Sequence, residues 1–180
     1  MTAEGRRTGL AVAVPDEADS ILAPWRGRYL AESVERGIPA HLTILVPFAR
    51  ASEVTSTLHL SLGELYASLP AFDYDLTEIR TFPDCAWLAP EPSAPFDELI
   101  AAIRARFPDY PPYGDSEVEP VPHCTVGVTD DAETLGLMVE ELEAGLANAL
   151  PLRCRASEVT LWRELDEGRW VADAVYALGS

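Results

Sequence analysis

The chain contains no lysine. All 13 of its basic residues are arginine, set against 30 acidic ones, and the formal charge of the 180 residues is −17. Without lysine there is no Schiff-base chemistry and no Walker-A phosphate loop. The negative charge argues against duplex DNA and anionic membranes as partners, because such a surface repels polyphosphate on average. Cysteine is scarce too: Cys85, Cys124 and Cys154 are odd in number and far apart, with no CxxC pair. That excludes a disulfide framework and a cysteine zinc site. Long apolar runs are also missing. The run after Arg6-Arg7 covers only Gly9 to Val14 and stops at Pro15-Asp16-Glu17. A signal peptide needs roughly 7–15 apolar residues and a membrane span about 18. The expectation is a reduced, soluble, cytoplasmic monomer.

The composition is that of a globular protein, 48% hydrophobic and 24% charged, at the length of one domain or of two half-size lobes. Strands are predicted over Thr8–Val14, Ala40–Phe48, Phe72–Thr81, Cys85–Ala89, Val121–Val128, Arg153–Leu165 and Arg169–Leu178 from short apolar runs bounded by turn residues. Helical spacing marks Asp16–Val34, with a kink or break expected at Pro24. It also marks a segment capped by Ser52, one over Phe96–Phe107, and one capped by Asp130 or Asp131. Pro108 to Pro120 reads as a loop, and Asp166-Glu167-Gly168 as a hairpin turn.

The two halves repeat. His41-Leu42-Thr43 opens a strand–helix unit that ends at Leu69-Pro70, and the next strand carries Thr77-Glu78-Ile79. His123-Cys124-Thr125 opens a second, ending at Leu150-Pro151, whose next strand carries Ser157-Glu158-Val159. Parallel offsets over some forty residues predict a duplicated unit with a cleft between halves. The domain reading is one domain over 1–180 made of two lobes, about 8–90 and 91–180, with exchange of strands between them allowed.

Two of the three histidines are followed two places later by threonine. With 11 threonines in the chain, chance gives about one per cent for that coincidence, so the pair is informative where a lone HxT is not. On a strand, positions i and i+2 share a face. His41 therefore points with Thr43, and His123 with Thr125, while Leu42 and Cys124 point into packing. Two imidazoles and two hydroxyls on one cleft suit displacement at phosphorus. Attack and departure are in line, so a base is wanted on one side and an acid on the other, and the hydroxyls can hold a non-bridging oxygen. No metal or cofactor is required. The reading takes His123 as base and His41 as acid, though pseudo-symmetry leaves that assignment to the orientation of the ligand.

At these residues the chain resembles the 2H phosphoesterase superfamily, in its 2′-5′ RNA ligase-like branch. The resemblance rests on the two HxT motifs with their flanks Gly37-Ile38-Pro39-Ala40, Val46-Pro47-Phe48 and Pro120-Val121-Pro122. It rests also on Trp87-Leu88-Ala89-Pro90-Glu91-Pro92 and Tyr110-Pro111-Pro112-Tyr113-Gly114. It implies an α+β fold: two pseudo-two-fold lobes, each an antiparallel sheet with helices outside, around a central cleft. The activity it implies is opening of a 2′,3′-cyclic phosphate, or reversible 2′-5′ joining of RNA ends. The charge of −17 favours a nucleotide-sized or otherwise small cyclic phosphate over long RNA. A non-catalytic module that binds such a phosphate, and an enzyme with a non-RNA substrate, are the alternatives. A metal-centred hydrolase lacks its HxH or HxxxH ligands.

Phe48, Tyr110, Tyr113, Trp162 and Arg163 are candidates for lining the substrate, the aromatics by stacking on a base. Arg80, Arg163 and Arg26 are candidates for holding phosphate. Trp87 reads as a core anchor, His59 as an ordinary surface or boundary residue, and Glu140, Glu141 and Glu143 as a solvated helix face.

Overall fold

The computed structural model describes residues 6–114, 117 and 119–180. Of the predicted loop Pro108–Pro120, residues 115, 116 and 118 lie outside the described residues. The chain is α+β, with eight strands among the described residues: β1 (Thr8–Ala13), β2 (His41–Leu45), β3 (Phe72–Phe82), β4 (Cys85–Glu91), β5 (Cys124–Val128), β6 (Leu152–Ala156), β7 (Glu158–Glu164) and β8 (Trp170–Ala177). Its helices are α1 (Asp16–Tyr29), α2 (Ala31–Glu35), α3 (Ser56–Ala67), α4 (Ala94–Arg106) and α5 (Ala132–Leu146).

The strands form one antiparallel sheet in the order β6-β3-β4-β5-β2-β1-β7-β8. The two strands that carry the HxT motifs, β2 and β5, are neighbours at its centre, each flanked by one of the equivalent strands β1 and β4. Both halves run in the same element order, β1–α1–β2–α3–β3 and β4–α4–β5–α5–β6, apart from the short α2. β3 and β4 stand on the β5 side, and β7 and β8 on the β2 side, so segments from each half of the chain occur on both sides of the central pair.

The sheet cannot be flat. Only Ser157 separates β6, at one edge, from β7, in the seventh place. Six strand spacings of about 4.8 Å would hold them roughly 29 Å apart in a flat sheet, whereas two residue steps reach about 7 Å. The sheet must therefore curl until its two ends meet. The seam is closed at the same end of the strands, where the Ala71 N–H donates to the Gly179 carbonyl (2.8 Å) and the Gly179 N–H to that of Leu69 (2.7 Å). The predicted single strand Arg153–Leu165 is thus two: its first part pairs with β3 and its second with β1 and β8. Local pattern cannot report that change of partner.

One face of the sheet is packed by the helices. Leu42, Ile44, Leu88, Cys124 and Val126 meet Ala18 and Leu22 of α1, Leu99 and Ile103 of α4, and Met138 and Leu142 of α5 in a single core. Close approach is needed at β5. A Cβ on Gly127 would lie 2.6 Å from Cβ of Tyr29 and 2.5 Å from Sδ of Met138, which leaves glycine as the residue that fits. Two helix ends differ from expectation. α1 continues through Pro24 and breaks at Leu30 instead, since Pro24 lies on the exposed face where water can satisfy the carbonyl it leaves free. The cap of α3 is Thr55, whose hydroxyl accepts the Leu58 N–H, and Ser52 belongs to a short 3-10 turn before it.

Candidate active site

β2 reads His-Leu-Thr-Ile-Leu, with Leu42 and Ile44 in the core and His41 and Thr43 on the opposite, half-buried face. β5 repeats this with Cys124 and Val126 inside and Thr125 outside, and His123 stands one residue ahead of it. Leu42 pairs directly with Cys124. Antiparallel register then sets His41 opposite Thr125 and Thr43 opposite His123, a diagonal square of two imidazoles and two hydroxyls.

Each imidazole is oriented in the same way. Nδ1 of His41 lies 2.9 Å from the Pro39 carbonyl, and Nδ1 of His123 lies 2.6 Å from the Val121 carbonyl. A carbonyl can only accept, so Nδ1 carries a proton in both rings, and Nε2 is the nitrogen left to take up or give a second one. The segment that carries the first carbonyl is braced from α1. Buried Arg26 donates to the Ile38 carbonyl (2.8 Å) and pairs with Asp19 (3.3 Å), and that same carboxylate accepts the Ala40 N–H (2.8 Å). Arg104 of α4 holds Glu119 (3.2 Å), just ahead of the second carbonyl. Arg26 thus works beneath the site as a brace, with its donors turned to the backbone and to Asp19.

Burial pushes the His41 pKa below the ordinary histidine value. The positive charges of Arg26 and His123 act in the same direction, and the hydrogen bond to Pro39 opposes them. His41 and Thr43 open on a cavity of about 130 Å³ with Ala11, Val46, Trp162 and Trp170. His123 and Thr125 open on a larger one, about 440 Å³, with Phe82, Asp84, Tyr113, Glu119 and Val128. The His123 ring stands edge-to-face against Phe82 at 5.2 Å and Trp87 at 5.8 Å.

Of the candidate lining residues, Trp162 faces the smaller cavity and Tyr113 the larger. Phe48 is a correction: it is buried, edge-on to Phe107 at 5.5 Å and against Tyr110 at 5.0 Å, so it closes the core, while half-buried Tyr110 packs on it and lines neither histidine's cavity. Arg163 is another. Alternation along β7 turns it away from the face of Trp162, and its guanidinium is taken by Asp173 at 2.8 Å. Arg80 pairs with Glu78 and lies 5.9 Å above the Trp87 ring. Glu141 is more than a solvated face, since it accepts from Tyr29 and pairs with Arg28 to tie α5 to α1. His59 bonds the Tyr176 hydroxyl at 2.7 Å, away from the site. Phe82, Trp87 and Asp84 are the neighbours of His123 that sequence reasoning missed. The repeat holds the signal for one of them: Trp87 pairs with Thr125 as Ala11 pairs with Thr43. Among the described residues no three metal-ligating side chains cluster, and no helix is long and apolar enough to cross a membrane.

This arrangement of strands recurs in solved proteins. A structure described as a phosphoesterase matches with a TM-score of 0.66 at 19% identity, over 97% of this chain and 99% of that one. E. coli LigT complexed with 3′-AMP matches with 0.64 at 19% identity, over 97% and 99%. The protein TT0787 of Thermus thermophilus matches with 0.65 at 18% identity, over the same shares. At such identities the likeness is one of fold. No curated protein matches the chain. Membership rests on the sequence itself: the family model of the 2′-5′ RNA ligase superfamily, the 2H phosphoesterases, matches residues 14–168, and this chain belongs to that superfamily.

Proposed function

We propose that the chain is a metal-independent phosphodiesterase that opens a 2′,3′-cyclic phosphate or a related small phosphodiester. His41 and His123 move the protons, and Thr43 and Thr125 hold the phosphate. One observation carries this reading: the direct pairing of Leu42 with Cys124, which sets two identically oriented imidazoles diagonally across one face.

In this reading the phosphate sits over the square, its non-bridging oxygens accepting from the two hydroxyls. Nε2 of one histidine takes a proton from water as the water oxygen bonds to phosphorus. The P–O3′ bond breaks on the opposite side, and the departing oxygen takes a proton from Nε2 of the other histidine, which must enter the step as the imidazolium, protonated on both nitrogens; this leaves a 2′-phosphate. His41 suits the base, because its burial favours the neutral ring at neutral pH. The smaller cavity beside it has room for water, and the larger one beside His123 for the leaving group. This reverses the assignment taken from the sequence, which carries no information on burial. LigT has been solved with 3′-AMP, which agrees with a nucleotide-sized ligand here.

The test is hydrolysis of nucleoside 2′,3′-cyclic phosphates in excess chelator by the wild type and by His41→Ala and His123→Ala, with folding followed by circular dichroism. Turnover by the wild type, reduced at least about 10³-fold in each folded variant, is expected. Near-normal rates in both variants overturn the mechanism. Binding without turnover makes the chain a recognition module, and loss of activity under chelation makes it a metal enzyme.

A further inference from the structure

The two cavities differ in charge and lining as well as in size. Tyr113, Val121 and Val128 are each 47–49% exposed, and all three line the cavity beside His123 along with Phe82. Apolar side chains left in water around a concave site mark a place where a ligand's own apolar surface is received. Tyr113 is held there at a cost. Its φ of +53° lies in the left-handed region, fixed by its N–H donating to the Val46 carbonyl at 2.7 Å and followed by Gly114 at φ +76°. At about 440 Å³ the cavity is of nucleoside size.

Its rim is acidic. Asp84 and Glu119 both line it, and among the described residues no arginine does. Asp84 sits on the turn between β3 and β4, fixed to the end of β5 by its carbonyl accepting the Thr129 N–H at 2.9 Å. Its carboxylate has neither ion pair nor hydrogen bond among the described residues. Glu119 is half-answered by Arg104, yet remains 83% exposed. An uncharged base and sugar meet rings and valines in this cavity, whereas a second phosphate carried on that group would meet two carboxylates and no arginine on the lining.

Building on the phosphodiesterase reading, we infer that the His123 cavity receives the nucleoside of a substrate with a single phosphate, and that Asp84 and Glu119 reject nucleosides bearing a further phosphate. The residues thus set specificity for mononucleotide-sized, singly charged phosphodiesters and against RNA ends.

Titration calorimetry at low salt tests this with two stable product analogues, a nucleoside 2′-phosphate and the same nucleoside 2′,5′-bisphosphate, on the full chain. The monophosphate is expected to bind about tenfold more tightly. Asp84→Asn with Glu119→Gln should shrink that ratio to within about twofold, and raised salt should shrink it in the wild type. Equal binding, a preference for the bisphosphate, a ratio indifferent to the two substitutions, or no binding of either compound overturns the inference. Because binding is read without turnover, an inactive protein that keeps the ranking would overturn only the enzymatic reading. An active protein that lacks the ranking would overturn only this one.

Discussion

His41 stands beside a cavity of about 130 Å³ walled by Trp162 and Trp170, and His123 beside one of about 440 Å³ rimmed by Asp84 and Glu119. The backbone device that holds the two rings is nevertheless the same. Each Nδ1 donates to the carbonyl two residues back, and each preceding segment is gripped by an arginine, Arg26 from α1 or Arg104 from α4. The repeat therefore accounts for the shared orientation of the two rings, and divergence of the neighbours for the difference between their cavities. The position across from threonine shows this most simply. Ala11 fills it in the first half and leaves His41 in a small apolar recess, while Trp87 fills it in the second and packs with Phe82 around His123. Arg26 is 3% exposed, whereas 31% of the Arg104 side chain is exposed, so the first half is also the drier one.

The symmetric part of the site breaks most sharply at the hydroxyls. Thr43→Val and Thr125→Val keep shape and remove one donor each, and each should lower kcat by about 10²–10³ with little change in folding. If one of them alone were silent, phosphate would be held from a single half. A smaller effect is expected on the asymmetric part. Phe82→Leu removes the ring 5.2 Å from His123 and has no counterpart beside His41. The loss of an aromatic pair, about 0.5–1.5 kcal/mol, predicts a fall in kcat of about two- to tenfold. A larger drop in KM-controlled binding than in kcat would make Phe82 a substrate contact and not a support for the imidazole.

The smallest effect is a displacement along the pH axis. His41 in the folded protein holds its proton more weakly than free histidine. As the base it is competent when neutral, so kcat/KM should survive as pH falls below 6.5 and be lost only as pH passes through the lowered value. An acid limb above 6.5 would instead place the base at a less buried group.

Much of this was legible in the chain. The strands of the two repeats, the helices between them and the HxT pairs all follow from short-range pattern, because alternation and helical spacing are properties of neighbours along the sequence. The face shared by His41 and Thr43, or by His123 and Thr125, follows from alternation alone. Phe48, Tyr110 and Arg163 were not legible as packing and ion-pair residues, since their partners Phe107 and Asp173 are fixed by tertiary contact. Nor was the role of Arg26, which depends on α1 lying against the residues just before β2.

The amino-acid order by itself determined that two equivalent strands would each present an imidazole and a hydroxyl, because a strand's geometry is local. Only the curled sheet decided that those strands pair with each other, which cavity each ring opens on and how deeply each is buried. Those depend on contacts between residues some eighty positions apart, such as Leu42 and Cys124, which no local period encodes.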